Sequence, residues 1–266
     1  MNLTLPSSKV GVIDSHAHVM REYFKESREE VIERAFDSNV RVLINPAVTV
    51  SDFDELKDLA ESYDNIYIAL GQHPHDAKDW KDEYSSQILE AGKHQKMVAV
   101  GECGLDFYYE NSEKDVQMKV FREQIKLAKA LRKPVIVHCR DAWQEAFDIL
   151  KEEKDENLTG VFHCFTGGPE MIPTIEELDF YVSYSGIVTF KNAVEIQASV
   201  SSVRKDRILA ETDCPFLAPQ AVRGKQNEPS YVWWTVAKLA ELLDCDLDTM
   251  AGTCLDNTRR LFKLPE

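Results

Sequence analysis

The sequence predicts an α/β fold, a (β/α)8 TIM barrel that fills residues 1–266 as a single domain. Three observations point there. Eight short β-branched apolar runs alternate with polar-rich segments of helical period. The 266-residue length suits an α/β barrel, which runs to about 250 residues. No G-x-G-x-x-G follows the first run, which argues against a doubly wound sheet of the dinucleotide-binding kind.

The runs are Val10–Ile13, Val40–Ile44, Ile66–Leu70, Met97–Val100, Pro134–Val137, Gly160–Phe162, Phe180–Tyr184 and Arg207–Ala210. Each is short and largely apolar, as a parallel strand covered on both faces requires. Ser27, with Glu30 three residues on, is expected to form a capping box at the first helix. Val116, Val120, Ile125 and Ala128 keep near-helical spacing, so a helix is expected over Val116–Leu131. Pro134 then stops it and opens the fifth strand. The charged run Lys151–Glu156 reads as a solvated helix end. Trp233 and Trp234 lie in a helical stretch and are expected to pack. No linker rich in Gly, Ser or Pro and no short-period repeat divides the chain.

The composition, 44% hydrophobic and 29% charged, excludes a disordered or fibrous chain. No apolar stretch is long enough to span a membrane, and the first ten residues lack the pattern of a signal peptide. With 46 acidic and 31 basic residues the net charge is −15. That field argues against a protein that coats DNA or a membrane surface, yet permits a local phosphate site. The six cysteines form no C-x-x-C pair and are expected to be free thiols of a cytoplasmic protein.

The histidines carry the functional signal. His16 and His18 follow the first run as H-x-H, and residues two apart in extended backbone point to one side. Glu102 follows the fourth run, His138 the fifth, His163 the sixth and Asp213 the eighth. Strand C-termini of a barrel converge on one face, so these six residues are expected around one pocket. Four imidazoles and two carboxylates suit one or two divalent cations such as Zn or Mn. Cys103, Cys139, Cys164 and Cys214 each follow one of these residues and are expected to face the helices as small apolar groups. Arg140 is spaced to point into the same pocket and suits a phosphate; a surface salt bridge with Asp141 or Glu145 is its other reading. Arg223 and Lys225 are candidates for a further phosphate grip, and His73 or His75 for substrate contact. Phe107, Tyr108 and Tyr109 are expected to be an apolar wall of the barrel top, with base stacking as the other reading.

Several segments together resemble the TatD family of metal-dependent hydrolases across nearly the whole chain. They are Ile13–His18, Gly71–His75, Gly101–Phe107, Val137–Ala142, Phe162–Gly168, Gly186–Ala193, Glu211–Pro215 and Arg223–Tyr231. Pro219–Val222 departs from the family, which commonly carries more proline and aromatic residues there. The resemblance implies two divalent metals, Mg, Mn or Zn. His16, His18 and Asp213 would hold one, His138 and His163 the other, and Glu102 would bridge them. The family includes metal-dependent deoxyribonucleases beside hydrolases of related phosphodiesters and esters, so the substrate does not follow from the resemblance; DNA ends, held transiently, are the leading expectation, with no membrane and no obligate protein partner expected.

A bound divalent ion lowers the pKa of water to about 7. Asp213, or secondarily Glu102, would take the proton. Two metals against Glu102 and Asp213 leave the pocket at about +2, which attracts a phosphodiester inside an acidic protein. Hydrolysis of another ester or amide, including a small phosphoester or aminoacyl-tRNA, and metal binding without turnover are the competing readings. No G-x-S-x-G elbow offers a serine nucleophile.

Overall fold

The structure, a computed structural model, describes residues 4–24 and 27–265. The first residues of the N-terminal stretch, expected to carry no targeting signal, lie outside them. Eight parallel strands run in sequence order: β1 Val12–Asp14, β2 Val40–Pro46, β3 Ile66–Leu70, β4 Met97–Asp106, β5 Val135–Arg140, β6 Gly160–Phe162, β7 Tyr181–Tyr184 and β8 Ile208–Ala210. Between and after them lie α1 Arg28–Asp37, α2 Phe53–Ser62, α3 Asp82–Ala91, α4 Lys114–Leu131, α5 Trp143–Glu153, α6 Ile172–Glu177, α7 Val194–Val200, α8 Val232–Leu242 and α9 Leu247–Phe262. This is the predicted barrel. Among the described residues no helix is long and apolar enough to cross a membrane.

Alternate residues of each strand serve two cores, as the period of two dictates. Val12, Leu43, Ile68, Val100, Val135, Phe162, Val182 and Ile208 pack outward against the helices. Ile13, Ile44, Ala69, Ala99, Ile136, Val161 and Leu209 form the second core, where Leu255, Leu261 and Phe262 of α9 pack against them. The seam between β1 and β8 closes just beyond the strands. Ser15 N–H donates to Ala210 O, Asp213 N–H to His16 O and His18 N–H to Cys214 O. Those three bonds clamp together segments that carry His16, His18 and Asp213.

Three local expectations change. Ser27 precedes α1 but its hydroxyl donates to Glu29 at 2.8 Å, so no capping box with Glu30 forms. α4 ends at Leu131, where Arg132 turns left-handed with φ 53°, ahead of Pro134. β4 runs six residues past the predicted end at Val100, because Gly101 and Gly104 interrupt the apolar pattern without interrupting the strand. Lys151–Glu156 is a mostly exposed helix end, as predicted. Trp233 is fully buried and its indole N–H donates to Ser38 O.

Candidate metal centre at the barrel mouth

The six predicted residues meet at the C-terminal ends of the strands. His16 Nε2 and His18 Nε2 lie 3.1 Å apart. Both face Glu102 Oε2, at 3.2 and 3.5 Å, and both lie 3.7 Å from Asp213 Oδ1. The other oxygen of Glu102 faces a second group. Its Oε1 is 2.7 Å from His163 Nε2 and 3.0 Å from His138 Nδ1, and those nitrogens are 3.4 Å apart. A register shift between Val100 and Cys103 aims Glu102 between the two groups, the re-aiming a bulge performs. Asp213 sits in the left-handed region at φ 56°, which aspartate tolerates better than most residues.

The donor set fits divalent metal. Bonds of ~2.0–2.1 Å at tetrahedral angles put ligand atoms ~3.3–3.4 Å apart. The spacings here straddle that edge. Among the described residues no lysine or arginine ion-pairs with Glu102, Asp106, Glu211 or Asp213, whose ion-pairing partners are imidazoles. A cation is the charge this cluster lacks.

Burial and mutual charge set the protonation. Burial works against charge on Glu102, but His163, His73 and His16 hold its carboxyl well below the usual range. Burial, aided by Glu102 and Glu211, lifts Asp213 to about 7 against the pull of His163 and His18. Burial and His163 push His16 down to about 4. Burial also opposes charge on His163, yet Glu102 and Glu211 keep its imidazolium well above the usual range.

Four residues given no role in the sequence reading support the ligands. Asp106 Oδ2 accepts from His138 Nε2 at 3.0 Å and His75 Nε2 at 2.9 Å. That carboxylate fixes the His138 ring with Nδ1 toward Glu102, the orientation a ligand needs. Glu211 Oε1 accepts from Cys164 N–H at 2.7 Å and lies 3.4 Å from His163 Nδ1. Asp14 accepts from Thr212 N–H and Oγ1 and from His16 N–H, holding β1 against β8. Gln117 of α4 clamps the Asp106 backbone from both sides. Asp106 and Glu211 lay inside quoted segments, but nothing in sequence spacing marks a residue that acts through another.

His73 and His75 part company. His73 is buried, and its Nδ1 accepts from His75 N–H. Burial pushes its pKa down to about 4, so the neutral ring carries its proton on Nε2, 3.3 Å from Glu102 Oε1. That places it in one cluster with Glu102 and His138. His75 stays partly open and stands edge-on to Tyr109 at 5.4 Å.

At the rim one expectation is corrected and one alternative falls away. Tyr108 and Tyr109 are no apolar wall: they are 58% and 54% exposed. Asp106 Oδ1 accepts both their N–H groups, and this tight turn throws the rings outward while Phe107 packs on the core. Arg140 makes no salt bridge with Asp141 or Glu145; its guanidinium lies 4.0 Å over Tyr108 and 4.8 Å over Tyr109. Cys103, Cys139 and Cys214 are buried in the helix-facing core as expected. Cys164 is not: at φ 43° its Sγ turns to Ser185 Oγ, 3.2 Å away, and is half-buried. Arg223 lies over Phe190 at 4.9 Å, and Lys225 is exposed in the same loop.

The family described as TatD related DNase matches residues 13–263. This chain belongs to that family. It is a metal-dependent hydrolase of the TatD kind. It is 42% identical over 253 residues to an uncharacterized metal-dependent hydrolase of Bacillus subtilis, YabD, covering 95% of this chain and 99% of the relative. A relative from Escherichia fergusonii named 3'-5' ssDNA/RNA exonuclease TatD is 30% identical, with 94% and 98% covered. Among solved structures, the TatD homologue YjjV of Escherichia coli superposes with a TM-score of 0.88 at 30% identity, covering 96% of this chain and 98% of that one.

Proposed function

We propose that this TatD-family hydrolase uses two divalent metals, Mg, Mn or Zn, to cleave phosphodiester bonds at DNA ends. The observation that carries the reading is Glu102: its two oxygens face separate sets of imidazoles, Oε2 those of His16 and His18 and Oε1 those of His138, His163 and His73. His16, His18 and Asp213 would hold one ion, His138 and His163 the other, with Glu102 between them. Bound metal would supply water activation and a Lewis acid for the phosphoryl oxygen. Asp213 would accept the proton that the activated water gives up. Asp106 and Glu211 orient His138 and His163, and His73 steadies Glu102.

Phosphate attraction falls to basic side chains more than the ligand count suggested. Asp106 and Glu211 are both held ionised, so two metals against four carboxylates leave the pocket near zero rather than at about +2. Arg140, with Arg223 and Lys225 farther out, then supplies the positive charge for the substrate phosphates. The exonuclease names of the Escherichia fergusonii and Shigella flexneri relatives support nucleic acid as substrate.

The test is a side-by-side panel with metal-reconstituted protein: single-stranded DNA, aminoacyl-tRNA and small phosphoesters. Release of mononucleotides from DNA, lost in Glu102→Ala and cut roughly 10²–10⁴-fold in Asp213→Asn, is the expected result. Turnover confined to a carboxylic ester overturns the phosphodiester reading. Tight metal binding without turnover of any substrate overturns the enzymatic one.

A further inference from the structure

We propose that two aromatic platforms flank the metal centre and stack an unpaired base on each side of the cleaved bond. One is Tyr108–Tyr109 with Arg140; the other is Phe216 with Tyr23. The proposal rests on the nuclease reading above and adds how the strand is held.

Water-exposed aromatic rings on a monomer surface ask for an explanation when they cluster. The exposed aromatics among the described residues are Tyr108, Tyr109 and Phe216, the last at 51%, and all three stand at the barrel mouth. They fall on opposite sides of the centre. Tyr109 stands edge-on to His75, which shares the Asp106 oxygen that holds His138. Phe216 stands edge-on to His18 at 6.4 Å and to Tyr23 at 6.0 Å. One platform therefore adjoins the His138–His163 group and the other the His16–His18 group.

Both are fixed to residues of the centre through their backbones. The tyrosine turn is held by two N–H donations to Asp106 Oδ1. Phe216 N–H donates to Asp213 O, and Phe216 O accepts from the buried Asn227 side chain. A preorganised ring loses little freedom when a base stacks on it. Arg140 lies over the tyrosines, and among the described residues no carboxylate ion-pairs with it. Its donors are thereby free for the phosphate next to a stacked base.

Stacking on a side chain requires an open base face, which duplex interiors do not offer, and it is tolerant of sequence. The platforms thus select an unpaired end of at least two nucleotides, with little preference among bases.

The test uses metal-reconstituted protein and single-stranded oligonucleotides in which one abasic residue is moved stepwise across the cleaved bond. In the wild type, an abasic residue on either side is expected to raise KM about 5- to 100-fold with a smaller change in kcat. Phe216→Ala should raise KM similarly and abolish the abasic penalty on one side only. The double change Tyr108→Ala with Tyr109→Ala should abolish it on the other. Phe216→Trp should restore the wild-type KM, which separates stacking from a structural role. Penalties that persist unchanged in both variants, or no penalty in the wild type, overturn the platforms while leaving the nuclease intact. Failure of the wild type to cleave any oligonucleotide overturns both.

Discussion

Glu102 gains its importance from having two oxygens with different neighbours, and Asp106 from holding one of the imidazoles that Glu102 faces. Asp106→Asn keeps the shape but weakens the hold on His138. Metal affinity or activity should fall about 10- to 100-fold, read by metal titration and initial rates. A value within twofold of wild type would show that His138 needs no such support. Protonation adds a second expectation. Despite burial, Asp106 and Glu102 raise His138, and Glu102 and Glu211 raise His163, so both rings hold protons in the metal-free protein. Metal must displace those protons, so affinity should climb as pH rises past ~6.5, with proton release seen by calorimetry in two buffers. Affinity that stays flat from pH 6 to 8 would contradict it. His16 and His73, pushed to about 4 by burial, act in the other direction on stability. Neutral in the fold, they contribute stability above ~6.5 that is lost as pH falls toward 4, whereas Asp213, raised to about 7, gains stability over the same fall, so the metal-free Tm should drop more across that window in Asp213→Asn than in the wild type.

β4 shows how an element builds the site. At Gly104 a Cβ would sit 2.0 Å from His138 O, and its φ of 139° strains any other residue. Only glycine lets β4 press against β5 where both carry site residues. Gly104→Ala should cost about 2–4 kcal/mol in denaturant unfolding. A loss below about 0.5 kcal/mol would mean the strands part at no cost. The same glycines explain where the fold was illegible. Strands were readable as unbroken apolar runs, so β3 and β6 matched residue for residue, while β4 was cut short at Gly101. In α4 the helical period was readable from Val120, Ile125 and Ala128, but Gln117 and Gln124 are buried too. They hold the backbones of Asp106 and Gln72, a use of polar side chains that periodicity does not reveal. The candidate ligands were readable because each follows an apolar run, although Glu102 and His138 prove to lie within β4 and β5. Asp106, Glu211 and the true place of His73 depend on contacts between distant segments.

The whole molecule carries −15, so its net field opposes the approach of a polyanion. In the proposed reaction, the six residues that the strand ends gather at the barrel mouth would hold metal and admit phosphate. Capture of a strand end then depends on few cations, and the apparent affinity for single-stranded DNA should fall with salt on a shallow log–log slope of roughly −0.7 per phosphate contacted, with KM rising accordingly. A slope as steep as that of a duplex-coating protein would place substrate contacts outside the mouth. The most direct measurement is the release of mononucleotides from end-labelled single-stranded DNA by metal-reconstituted wild type and Glu102→Gln in parallel. The predicted result is metal-dependent release by the wild type, abolished by a chelator and at least about 10²-fold slower in the variant. Intact DNA with the wild type, or equal release by both proteins, would contradict a centre organised around Glu102.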